Sequence, residues 1–417
     1  MQPERQIQQE NLRNLMHAGK RIHSSVHAFK ASHKKARLLG NLLLKAYRKE
    51  SIVGFRSIIL PSEIFYALDA IPLCVESFSA MLADAHLSSQ MLNVSEEHHY
   101  SKDICSFLRC TAGMAIENIL PTPDFLICTS YYCDGCPKLF KTLAKKYKKN
   151  CFILDIPYNY NTQEAVDYLA KQIEDMVKEL EKIIGRKMNP DKLAETIKLS
   201  NEAREYFLKV NELRKNIPSP MLGGEAIDYA VMLAFTWGSK EMVDVCKLLY
   251  EELYERVKQN NNTNSKQVNK KIRLLWRHLR PYYNDELIDF IENKCGVEIA
   301  FEEINYIHWD KMDPFDPYRS LARKLLANPP VGHFEHWLEA THNFIKWYKI
   351  DGVISFNHWG CRQLSSGTGI LKGSLEKEGI PFLEIDGDCI DSRDYSSQQL
   401  KTRVYAFVEM IASMKLG

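Results

Sequence analysis

Short apolar runs alternate with amphipathic stretches along this chain. SIVGFRSII, Ile71–Val75, Asp124–Cys128 and Cys151–Ile156 are brief, rich in β-branched and aromatic residues, and bounded by turn formers, which predicts strands. Helical patterns separate them. Pro61-Ser62-Glu63 opens one, with proline early and an acid in the first turn; another starts near Ser101 and a third follows Pro137. From Thr162 to about Asn260 the apolar spacing is helical throughout, broken at Gly185. Strands then return at Ile272–Trp276, Val297–Ile304, Gly352–Phe356 and Ile380–Ile385, with a terminal helix over Gln398–Met414. Strands separated by helices imply parallel sheets. The pattern therefore predicts an α/β protein with two short doubly wound parallel-sheet lobes. A basic helical arm (1–50) with a Leu38, Leu39, Leu42, Leu43, Leu44 stripe precedes the first lobe (51–161). A middle helical clamp (162–265) separates it from the second lobe (266–417), and the polar run QNNNTNSKQ reads as a surface loop at that boundary.

A length of 417 residues requires more than one compact core. The formal charge of +2 gives no footing for nucleic acid. No apolar run approaches the length of a membrane span, and the polar start MQPERQIQQENLRN lacks a signal-peptide core, so the expectation is a cytoplasmic protein.

Eleven cysteines change the picture. An odd number in a reducing compartment argues against a disulfide framework. Cys105, Cys110, Cys128, Cys133 and Cys136 cluster in one stretch, and Cys361 and Cys389 form a distant second group. Cys74, Cys151, Cys246 and Cys295 sit in apolar or helical contexts and read as core thiols. Ligands of open parallel sheets gather at the carboxyl ends of strands. Cys133 follows the strand DFLIC, Cys361 follows DGVISFN, Cys389 follows IPFLEID, and Cys105 begins a helix, where amide dipoles favour a thiolate. Three readings compete: incidental thiols, a zinc site, and an iron–sulfur cluster. Only one C-x2-C, Cys133 and Cys136, is present to support zinc, and His333, His336 and His342 read as flanking a helix with Trp337. Soft thiolates drawn from several loops suit iron and sulfide. There is no G-x-x-x-x-G-K-[ST] and no G-x-G-x-x-G after a strand; Ser365-Ser366-Gly367-Thr368-Gly369 fits a phosphate cradle or a plain N-cap with a turn.

Several stretches resemble the catalytic subunits of the 2-hydroxyacyl-CoA dehydratases, a family that includes benzoyl-CoA reductase subunits, and the alpha-type subunit most of all. They are VGFRSIILPSEIFYALDAIPLCVES, SKDICSFLR, PTPDFLICTSYYCD, FILDIPYN, IPSPMLGG, VISFNHWGC and IPFLEIDGDCIDSRDYSSQQLKTRVYAFVEM, spanning Val53 to Met414. The last is similar to the family's D-G-D-x-x-D-x-R-[ND]-[FY]-S-x-x-Q-x-x-T-R signature. The resemblance implies a 4Fe–4S cluster held by Cys105, Cys133 and Cys361, with one iron open, and a possible acidic role for Glu76. It implies an ATP-hydrolysing iron–sulfur activator protein that delivers one electron, and a ketyl radical on an acyl-CoA that expels its neighbouring hydroxyl. A paralogous subunit or a homodimer would complete the site. A missing P-loop fits that division of labour.

The chain also departs from the family pattern. Ile58, Ile59 and Leu60 end a strand where relatives carry small or hydroxyl residues, and Trp276, Arg277 and His278 end another where small residues are usual. Cys389 replaces the glutamine of D-G-D-Q. Cys110, Cys136 and Cys389 add three thiols near the expected ligands, enough for an 8Fe–9S double cubane and a small-molecule or acyl-CoA reductase instead of a lyase. A non-catalytic subunit is the third expectation.

Overall fold

The computed structural model describes residues 2–18, 29–131, 133–262, 271–283, 286–393 and 395–416. Two four-stranded parallel sheets form its frame. The first comprises β1 (Ile52–Arg56), β2 (Ala70–Cys74), β3 (Phe125–Thr129) and β4 (Cys151–Leu154), in the order β2-β1-β3-β4. The second comprises β5 (Arg273–Arg277), β6 (Glu298–Glu302), β7 (Gly352–His358) and β8 (Phe382–Gly387), in the order β6-β5-β7-β8. Each sheet reverses its direction of winding once, between β1 and β3 and between β5 and β7, and open sheets bind ligands outside such points. β3 and β7 are buried along their whole length, which explains the nearly unbroken apolar sequence of β3 and the Val353, Ile354 and Phe356 of β7.

Helical segments pack around this frame. Gln163–Ile184 is capped by the Thr162 side chain, which accepts from the Ala165 amide, and ends at Gly185 with φ +77. Pro190–Leu213 is capped by Asn189, and Lys240–Asn262 lies along it. One hydrophobic core joins these helices to β1's neighbours and to the later helix Pro317–Leu326. The arm helix Lys30–Ala46 packs on Lys240–Asn262, and the Glu252 carboxylate accepts from its first amides, Lys30 and Ala31, at 2.9 Å each. Gln2–Ala18 is docked on the first lobe by Arg5, which bonds the Thr122 carbonyl and the Asp124 carboxylate at 2.8 and 2.9 Å. Middle helices and second sheet are joined by a buried, two-pronged pair, Arg214 to Glu302 at 2.7 and 2.6 Å.

Some boundaries moved. The helix predicted from about Ser101 starts at Ser106, because the Ser101 hydroxyl donates to the Asp103 carboxylate and accepts from the Asp103 amide, holding a turn. The predicted loop QNNNTNSKQ begins inside the helix Lys240–Asn262, and its remainder, with the 265/266 boundary, lies outside the described residues. Within Ser365–Gly369, a Cβ on Gly367 would meet the Phe334 ring at 1.9 Å, so that glycine is required for packing. No described helix is long and apolar enough to cross a membrane.

Candidate active site

The carboxyl ends of both sheets face one cavity of about 310 Å³. Cys105, Cys133 and Cys361, the expected ligands, all stand on its wall, as do Glu76 and Cys136. Cys105 immediately precedes the helix Ser106–Ile116, Cys133 lies two residues before Gly135–Tyr147, and Cys361 precedes Arg362–Ser365. Backbone amides consequently face each sulfur: Phe107 and Leu108 at Cys105, Gly135 and Cys136 at Cys133, Gln363 and Leu364 at Cys361. Burial raises all three thiols above the ordinary range, Cys361 to about 11; the charges of Cys361 and Cys133 raise Cys105 further, Cys133 raises Cys361, and Glu76 and Asp134 raise Cys133. The amides work the other way and favour a charged sulfur. The thiols are thus partly buried on one wall and neutral on balance, with amides placed to favour the thiolate once a soft metal binds it. Among the described residues no three His, Cys, Asp or Glu side chains close around a single bare ion. This donor set fits a larger, soft inorganic core.

Contacts between the lobes hold these thiols together. Gly360, at φ +76, lies so close to the first lobe that a Cβ there would come 2.8 Å from the Cys105 nitrogen. His358 Nδ1 accepts from the Cys389 amide at 3.1 Å, so the ring proton sits on Nε2, which faces Cys105 Sγ at 3.2 Å. The D-G-D-x-x-D-x-R stretch is the stitching. Asp388 accepts from Ser106 at 2.5 Å; Asp391 meets Arg109 at 3.4 Å; Arg393 reaches Glu96 at 2.5 Å.

The further thiols divide. Cys136 reaches the cavity. Cys110 is fully buried within its helix, its thiol pushed up to about 12 by burial beside Ser79, and Cys389 is fully buried, its thiol raised by burial and then by Asp388, Cys105 and Cys361. Neither lines the cavity wall. Glu76, near the start of the helix Val75–Asp84, has its carboxyl raised by burial and sits 3.6 Å from the Cys74 thiol and 3.7 Å from that of Cys136.

The rest of the wall is largely apolar and aromatic. Ile58, Ile59 and Leu60 line it, as do Trp237, Trp309 and Trp337. Of the bulky residues expected at the end of β5, Trp276 lies buried and stacked on Phe356, and His278 lines the cavity. Sequence reasoning passed over Lys324 and Glu303. Lys324 Nζ is 2.5 Å from the wholly buried Glu63 and sits over the Trp237 and Trp309 rings at 4.8 and 4.5 Å. Burial lowers its ammonium, which Glu63 partly offsets. The only signal was Glu63 itself, a charge inside an apolar run.

The family described as 2-hydroxyglutaryl-CoA dehydratase, D-component, matches residues 57–411. The chain belongs to that family. It is 27% identical over 384 residues to the (R)-phenyllactyl-CoA dehydratase alpha subunit of Clostridium sporogenes, covering 89% of this chain and 92% of the relative. It is 25% identical to the (R)-2-hydroxyisocaproyl-CoA dehydratase alpha subunit of Clostridioides difficile, covering 92% of this chain and 97% of the relative. One of the benzoyl-CoA reductase subunits of Thauera aromatica is also 25% identical, with 79% and 82% covered. These relatives are lyase and oxidoreductase subunits, and alpha and beta subunits of the C. sporogenes enzyme both match.

Proposed function

We propose that this family member is the cluster-bearing subunit of a radical 2-hydroxyacyl-CoA dehydratase, with Cys105, Cys133 and Cys361 as ligands of a 4Fe–4S cluster. The supporting observation is that these three thiols, each faced by backbone amides, converge on one apolar cavity. A bound cluster supplies single electrons at low potential and an iron without a protein ligand, open to Lewis-acid chemistry. The protein does the rest. Its amides and the His358 N–H face the sulfurs, and its aromatic wall keeps water from a reactive acyl radical. Glu76, biased towards its neutral form by burial, is a proton donor on that wall. Energy input falls to an ATP-hydrolysing iron–sulfur activator, since this chain carries no P-loop. A paralogous beta-type subunit or a second copy completes the acyl-CoA site, in an oxygen-free cytoplasm.

A double cubane acting in net reduction is the second reading. It needs Cys110, Cys136 and Cys389 as ligands, and of these only Cys136 stands on the cavity wall, which favours the single cluster. Iron and sulfide counts with electron paramagnetic resonance on anaerobically prepared protein test the choice. About four irons per chain is expected, and about eight overturns the single-cluster reading. Cys133→Ser should lower iron content while Cys246→Ser, in the helical core, should not. Equal iron in both variants defeats the ligand assignment.

A further inference from the structure

On the second-sheet side of the cavity, a histidine is buried with its bonding capacity unspent. Arg277 ends β5 and His278 follows it; Glu303 follows β6. The His278 side chain is 1% exposed and lines the cavity; its ring is approached by the Leu364 backbone carbonyl, and neither ring nitrogen has a partner at close hydrogen-bond geometry. Its Nδ1 lies 3.5 Å from Glu303 Oε2, itself without a hydrogen bond, and Arg277 Nε lies 3.4 Å from that same oxygen. Trp337 clamps the group. Its Nε1 donates to Glu303 Oε1, the Arg277 guanidinium stands 4.9 Å from its ring centre, and the His278 ring 5.3 Å.

Two costs meet at His278. Its φ of +69 is a left-handed conformation that side-chain-bearing residues rarely adopt. Buried polar groups are nearly always bonded, and this one has only the distant Glu303 carboxylate and the Leu364 backbone near it. Such costs persist where a site uses them. Leu364 links the group to the cysteine loop: its backbone approaches the His278 ring, and its amide faces Cys361 Sγ.

Resting on the acyl-CoA reading above, we propose that His278, oriented by Glu303, recognises the hydroxyl of the 2-hydroxyacyl group by accepting its hydrogen bond. A carboxylate only accepts, so the Nδ1 that faces Glu303 carries the ring proton and Nε2 keeps a lone pair. Burial, with the neighbouring Arg277 charge, holds the ring in its neutral form. A hydroxyl donor satisfies that lone pair. A 2-deoxy acyl group leaves it buried and unmatched, which is how a polar pocket rejects an analogue.

The test is calorimetric binding to the anaerobic cluster-loaded protein, without activator or ATP, so that nothing turns over. The probes are (R)-phenyllactyl-CoA, (R)-2-hydroxyisocaproyl-CoA and lactoyl-CoA, each beside its 2-deoxy counterpart. The wild type should bind at least one hydroxyl form about tenfold more tightly than its deoxy partner. His278→Gly, which relieves the positive φ while deleting the ring, should bring that ratio to about one and leave deoxy binding nearly unchanged. His278→Gln, which keeps an acceptor, should recover part of the preference, and Glu303→Gln should weaken it. A preference that survives in His278→Gly, equal weakening of both probe classes, or no preference in the wild type overturns the proposal alone. If the wild type, assembled with the subunit that completes its site, binds none of the six thioesters, the acyl-CoA reading itself fails.

Discussion

Gly360 offers a test of how closely the lobes must meet. Replacing it by alanine imposes two separate costs. The first is conformational: φ +76 disfavours a residue with a Cβ by about 1–2 kcal/mol. The second is spatial. The new Cβ would stand 2.8 Å from the Cys105 nitrogen, 2.9 Å from its Cα and 3.1 Å from the Asp103 carbonyl oxygen, all backbone atoms. Backbone does not yield as a flexible side chain does, and such overpacking costs about 1–3 kcal/mol more. Gly185→Ala is the matched control, since Gly185 has φ +77 with nothing within 4 Å. Both variants should lower the urea midpoint. Only Gly360→Ala should also displace Cys105 from Cys361 and thereby halve, or worse, the iron retained after anaerobic reconstitution. Equal iron in the two variants would refute the claim that lobe contact at Gly360 sets the thiol geometry.

Three further outcomes follow from the same geometry. His358→Phe removes the N–H facing Cys105 Sγ, and fewer donors to a cluster sulfur should make reduction harder; a redox titration followed by paramagnetic resonance should give a more negative potential, and an unchanged one counts against the contact. Arg214→Met strands the buried Glu302 carboxylate and should cost about 3–5 kcal/mol, whereas Arg214→Met with Glu302→Leu should recover most of it in urea unfolding. Burial pushes the Glu292 carboxyl up to about 7, against bonds from the Gly223 and Gly224 amides. A raised folded-state pKa means the native form holds the proton longer, so this contribution is complete below the ordinary carboxylate range and is lost as pH climbs towards 7. Stability should fall by roughly 1.4 kcal/mol per pH unit across that window, and Glu292→Gln should flatten the slope.

The sequence by itself determined the two parallel sheets, because strands buried on both faces are largely apolar, as FLICT and the Val353, Ile354 and Phe356 positions of β7 are. It also determined that Cys133 and Cys361 follow strand ends and that Cys105 opens a helix, since those are local facts of order and spacing. Which thiols share a wall was decided in three dimensions. Cys110 is only five residues from Cys105, yet it lies a turn into the helix and faces the core. Cys389 follows a strand end like Cys361 does, yet its amide is spent on His358 and its side chain is fully buried off the cavity wall. Trp276 and His278 stand two apart, and the left-handed turn at His278 sends only the histidine into the cavity. Lys324 and Glu63 are far apart in the chain and pair only because the helix Pro317–Leu326 packs with the middle helices rather than on its own sheet. Strand burial is a short-range property and is written locally. Partnership between charges or thiols depends on which distant surfaces the packing brings into contact.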